Sequence, residues 1–259
     1  DGSAPDALAL LRAARAQVLR DKEAGHQVVL LVYYSGHAKD GALRMGKSRL
    51  EMSALRAALE DSGADVRLAV VDACGAGEIT RDKGGSRAPP LLVKVDDGLT
   101  AQGQVIIASS SATEASQESD DVEGSFFTHF WVSGLRGDAD TDADGRVTLN
   151  TRGGMQHPTY KYDLRGAGDV VLARVGADVQ GGVRFPEATA GRFIVFDLDR
   201  RLVVAEVDKR AGRPLRLALK GGRYAIKKRE SDHLIMQRVK VPRESEVEVD
   251  PDRMEKVAF

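Results

Sequence analysis

Two side chains in this sequence have the chemistry to open an acyl bond together. Val-Val-Leu-Leu-Val-Tyr-Tyr-Ser-Gly (28–36) leads into His37, and Leu-Ala-Val-Val-Asp-Ala (68–73) leads into Cys74, the only cysteine of the chain. A thiol becomes a nucleophile when a nearby imidazole takes its proton. A lone cysteine is by default a buried core residue, so the argument rests on the matching histidine. Apolar runs of this length read as strands buried on both faces of a parallel sheet. Ligand sites in such sheets lie just past the carboxyl ends of the strands. Both reactive groups are therefore expected at one sheet edge. His26, His129, His157 and His233 fall at a strand start, in an amphipathic helix, in a turn before Pro158 and in the C-terminal region, and are read as structural or solvated.

Tyr-Ser-Gly-His (34–37) and Asp-Ala-Cys-Gly-Ala-Gly (72–77) resemble the two signature blocks of the caspase and metacaspase superfamily. A third block, Ile106 to Ser119 followed by Gly-Ser-Phe-Phe-Thr (124–128), is similar to the family's strand, loop and helix beyond the nucleophile. The blocks occur in the family's order over roughly residues 1–175, nearest to the bacterial caspase-like proteins. The resemblance implies a cysteine endopeptidase with a His37–Cys74 dyad. It also implies an oxyanion hole from the backbone N–H groups of Cys74 and Ala38, where the family often has glycine instead of alanine.

Asp72 stands two residues before the nucleophile, so alternation along a strand puts both side chains on one face. By resemblance this position lines the pocket for the residue preceding the cut. A carboxylate there favours a cationic side chain, which implies cleavage after Arg or Lys. Ser35 is expected to add a hydroxyl, and Glu118, Asp120 and Asp121 to form an acidic opposite wall. Two alternatives stay open: cleavage after Asp, and a catalytically silent scaffold or interaction module. Self-processing within 78–103 and a role in bacterial cell death or defence come from the resemblance alone.

Asp140, Asp142, Asp144 and Gly145 resemble the start of a calcium loop. The twelfth position is Thr151 instead of the bidentate glutamate. Calcium is therefore the candidate cofactor only as a structural or regulatory ion, since thiol chemistry needs no metal. An Asp-rich turn is the simpler reading.

The elements that must position these groups follow from periodicity. Ser3 and Pro5 open a first helix ending near Gly25. Ser48-Arg-Leu-Glu51 reads as a capping box opening a second helix. Further strands are expected at 104–109 and 169–172, the latter closing the domain, with Phe126, Phe127, Phe130 and Trp131 on a core-facing helix between them. The fold class expected is α/β: a three-layer caspase-like sandwich with a mostly parallel sheet over 1–180. Short alternating strands at 192–196, 202–207, 215–219, 224–228 and 234–241 predict a small antiparallel β-sandwich over 181–259, a surface for a protein partner. The family's initial strand and helix have no counterpart before Ser3, so the sheet is expected to expose an apolar edge. A helix usual in the family after Leu149 has none either.

The 259 residues carry a net charge of −1, which gives no nucleic-acid footprint. No run reaches the ~18 apolar residues of a membrane span, and no signal peptide is visible. A single thiol favours a reducing compartment. The expectation is a cytoplasmic enzyme with a protein or peptide substrate and no nucleic-acid or membrane partner.

Overall fold

The computed structural model describes residues 2–73, 102–109, 118–119, 124–149, 159–165, 170–175, 181–230 and 232–257. The fold is mixed α/β, with one partly parallel sheet and several antiparallel ones. The chain divides into two compact units, residues 1–117 with 156–169, and 118–155 with 170–259.

In the first unit, helix α1 (Ala4–Glu23) starts as the sequence predicts. The Ser3 hydroxyl accepts the Asp6 N–H, and the Asp6 carboxylate accepts the Ser3 N–H at 2.9 Å. Strands β1 (Val29–Gly36), β5 (Val66–Ala73) and β6 (Gln102–Ala108) run parallel and adjacent, with Tyr33 opposite Val70 and Val70 opposite Ile107. Helix α2 (Met52–Asp61) connects β1 to β5 through a small sheet of β2 (Ala38–Lys39), β3 (Ala42–Met45) and β4 (Ser48–Glu51). Alternation then sorts the side chains. Leu30, Val32, Tyr34, Ala69, Val71, Ile106 and Ala108 pack with Leu8, Leu11, Leu55 and Leu59 of the two helices in one core. The opposite row on β5, Val66, Leu68, Val70 and Asp72, is buried too.

Strand β1 stands at the sheet edge. On it Val29, Leu31 and Tyr33 are 39%, 51% and 45% exposed, matching the expected apolar edge. The fourth strand is a surprise. β10 (Thr159–Arg165) pairs antiparallel with β6, Tyr160 opposite Ile107. The strand anticipated at 169–172 forms instead as β11 (Val171–Arg174) and pairs with β9 (Arg146–Thr148) in a separate ribbon.

A second correction concerns Ser48. It does not cap a helix: Ser48–Glu51 is extended, and α2 begins at Met52 without a side-chain cap. The Ser48 hydroxyl is engaged elsewhere, accepting the Ala4 N–H and donating to the Met45 carbonyl, both at 2.7 Å. A tertiary partner outcompetes the local capping box.

The second unit holds β7 (Glu118–Ser119) paired with β8 (Gly124–Ser125), then α3 (Phe126–Ser133) and a π-helical turn, Gly134–Asp138. Two further sheets share one core built on Phe185, Phe193, Leu217 and Ile226. One is β15 (Leu215–Ala218), β12 (Gly182–Phe185) and β18 (Glu246–Glu248). The other is β14 (Leu202–Lys209), β13 (Gly191–Asp197), β16 (Gly222–Arg229), β17 (Leu234–Val241) and β19 (Glu255–Val257). All five expected strands are present; β12, β18 and β19 are additional, and β12 runs parallel to β18. Among the described residues no helix is long and apolar enough to cross a membrane.

Candidate active site

β1 and β5 end level. Ser35 is the register partner of Asp72 and Gly36 that of Ala73, so the next residues in the chain are His37 and Cys74. Cys74 itself lies outside the described residues, as do Asp120 and Asp121. Glu118 is described only as backbone in β7, within the other unit.

His37 is exposed, and its backbone is tightly held. Its carbonyl accepts the Arg44 N–H at 2.8 Å and the Tyr34 hydroxyl at 2.9 Å, and the same hydroxyl reaches the Arg44 carbonyl at 2.6 Å. Burial holds the Tyr34 phenol above its ordinary pKa, keeping it a donor. The ring of Tyr34 folds back over Gly36, where a Cβ would lie 2.7 Å from the hydroxyl oxygen. A side chain immediately before the histidine would have to push the Tyr34 hydroxyl aside.

The chain then turns back sharply. Ala38 pairs with Leu43 across a two-residue loop, Asp40-Gly41, both residues at positive φ. That is the signature of a type I′ hairpin. Asp-Gly between two short runs is a strong hairpin signal. Ala38 is half-buried in β2, and Ser35 is exposed.

Asp72 is 3% exposed, a carboxylate buried one residue before the end of β5. Just beyond it, Ala73 is clamped by a residue the sequence did not single out for this role. The Ser109 hydroxyl, at the end of β6, accepts the Ala73 N–H at 3.1 Å and lies 3.4 Å from the Ala73 carbonyl. The Ser109 N–H also donates to the Val71 carbonyl at 3.0 Å. The peptide leading into Cys74 is thus fixed from the neighbouring strand.

In the second unit, Asp140, Asp142 and Asp144 bring carboxylate oxygens within 4.8 Å of one another. The Asp140 carboxylate already accepts the Asp144 and Gly145 N–H groups at 3.1 and 3.0 Å, and burial raises its pKa. Hard oxygen donors fit calcium, but three carboxylates leave about half of its 6–8 ligands to be found elsewhere. Thr151, at the twelfth position, lies outside the described residues. His129 is buried in α3, and burial lowers its pKa, in keeping with a structural role.

Compared with known proteins, the chain matches no protein-family model and no curated protein sequence.

Proposed function

We propose that this protein is a caspase-like cysteine endopeptidase that cleaves after Arg or Lys, built on a three-layer α/β sandwich. The observation that carries the reading is the register of Gly36 with Ala73 in adjacent parallel strands. It makes His37 and Cys74 the first residues beyond two neighbouring strand ends, where α/β sheets hold their ligands. In the reaction the Cys74 sulfur bonds to the scissile carbonyl carbon. The oxyanion that forms takes hydrogen bonds from the Cys74 and Ala38 N–H groups. As the C–N bond breaks, His37 delivers its proton to the leaving amine. Water then attacks the thioester, losing a proton to His37 and returning the thiol. Buried Asp72, with Ser35 beside it, supplies the anionic pocket for the basic side chain. The substrate is a protein or peptide, self-processing within 78–103 included. Bacterial cell death or defence is the setting the resemblance implies.

Calcium, if it enters, is a structural or regulatory ion on Asp140, Asp142 and Asp144. With no bidentate glutamate its affinity falls near the weak end, about 10⁻⁴–10⁻³ M. Melting curves with and without calcium measure it.

The test of the peptidase is a fluorogenic peptide panel varying only the residue before the cut, with Cys74→Ala as control. Turnover after Arg or Lys that vanishes in the variant supports the reading. Turnover after Asp keeps the dyad and overturns the role of Asp72. Absence of turnover, together with no His37-dependent labelling of Cys74 by a basic-peptide thiol probe, makes the chain a silent scaffold.

A further inference from the structure

The five-stranded sheet of the second unit is left unfinished along one strand. β19 pairs with β17 only at Leu234, Ile235 and Met236. Beyond them, Gln237 to Val241 pair among the described residues only with Gly222 to Ile226 of β16. Strand pairing stops where the chain turns away: Pro251–Arg253 form a 3₁₀ turn, and the Asp250 N–H donates at 3.0 Å to the Gln237 side chain instead of to a strand carbonyl. Between this edge and the segment 247–251 that runs beside it lies a groove of about 400 Å³.

The groove has a definite character. Its apolar lining is Val239, Val247 and Val249, of which Val239 and Val249 belong to the core. Its acids are already neutralised: Glu248 is bonded to Arg184, and Asp250 to Arg253 at 3.2 Å. Arg238 and Lys240 are not. Both are exposed, alternate with Val239 and so share the outer face, and make no ion pair among the described residues. Natural edges are usually blunted by bulges, prolines or covering segments. Here the edge carries a slot beside it and an uncompensated charge of one sign.

We propose that this edge is a docking site for an extended acidic segment of a partner protein, which adds as a strand to β17. Five residues of strand span about 17 Å. The incoming backbone completes the ladder of Gln237–Val241. Its carboxylates on one face meet Arg238 and Lys240, while alternate apolar side chains enter the slot beside Val239 and Val247. Main-chain bonds give affinity and the alternating side chains give selectivity, as in strand addition generally.

The experiment is fluorescence anisotropy on the full chain with a fluorescein-labelled Val-Glu-Val-Glu-Val-Glu-Val peptide. Its Lys-for-Glu counterpart and a version N-methylated at alternate residues serve as comparisons. The Glu peptide is expected to bind at least ten-fold tighter than either. The double variant R238E/K240E should lose that preference and favour the Lys peptide; both positions are exposed, so its melting curve should match that of the parent. Equal binding of the Glu and Lys peptides, indifference to N-methylation, or no binding at all overturns the proposal. Concentration-dependent self-association of labelled protein that R238E/K240E abolishes would assign the edge to a second copy and overturn it equally.

Discussion

Ser109 and Ala73 meet twice across adjacent strands, one hydroxyl serving both the N–H and the carbonyl of the same residue. That residue is joined by one peptide bond to the sole cysteine. Ser109→Ala removes a hydrogen bond to the buried Ala73 N–H, at a cost of about 1–3 kcal/mol. The variant should stay folded, with a lower urea midpoint. If the clamp also aims the thiol, alkylation of Cys74 should slow about ten-fold relative to the parent under native conditions, and Ser109→Thr, which keeps the hydroxyl, should recover most of it. Unchanged alkylation would make the clamp purely structural.

Tyr34, packed beside Gly36, holds the backbone of His37. Gly36→Ala pushes a methyl against the Tyr34 hydroxyl and should disturb the backbone that carries the imidazole. Tyr34→Phe removes the bonds to His37 and Arg44 without crowding. Both should lower kcat by about 10–100-fold, an effect expected of misplaced catalytic groups, with KM little changed. A rise in KM alone would place these residues in substrate binding instead.

Asp72 is the sharpest test of selectivity. Leaving a cationic side chain without its buried partner costs about 2–5 kcal/mol. Asp72→Asn should therefore cut kcat/KM on Arg peptides by at least about 30-fold, while peptides with a neutral residue before the cut change little. Parallel losses on every peptide would mean that the carboxylate supports the strand instead of reading the substrate.

A pH effect is built into the second unit. Burial, with the nearby carboxylates of Asp208 and Glu206, pushes the pKa of Asp138 up to about 6 from 3.8. The folded state therefore holds this proton more tightly than the unfolded chain. Its contribution is fully present below about pH 4 and is lost as pH rises through 6, on the order of 2–3 kcal/mol by linkage. Asp138→Asn should raise the urea midpoint at pH 7.5, measured with EDTA present, and the gain should shrink to about a third by pH 4.5. An equal gain at both values would point to a cause other than this proton.

The parts of the fold that sequence reading captured are those set by local pattern. The run into Cys74 is continuous and apolar because β5 is buried on both faces, whereas the equally apolar run into His37 leaves one face of β1 exposed; the strands of the second unit alternate because one face meets the Phe185–Phe193 core. The Ser3 cap was legible because its partner, Asp6, is three residues away. What escaped depends on distant partners. Ser48 carries a capping signature, yet it bonds to Ala4. Ser109 looks like any loop serine until β6 is laid beside β5. β10 is polar and tyrosine-rich, and nothing nearby reveals that its place is against β6. At the candidate site, the strand ends at Gly36 and Ala73 were readable from the apolar runs, whereas the hydrogen bonds of Tyr34 and Ser109 that hold the backbone there were not.

The position of β10 also bears on how the protein is made. The first unit is not continuous in sequence: its last strand lies beyond Glu118–Met155, which belong to the second. A ribosome working from the N-terminus releases β1, β5 and β6 early, but β6 remains an open edge until residues 159–165 emerge. For that interval the edge of β6 lacks the strand that pairs with it in the finished fold, while Leu31 and Tyr33 of β1 are exposed. Slow translation across 109–158 should therefore favour aggregation of the growing chain, and a fragment stopped at Gln117 should inherit the same hazard permanently.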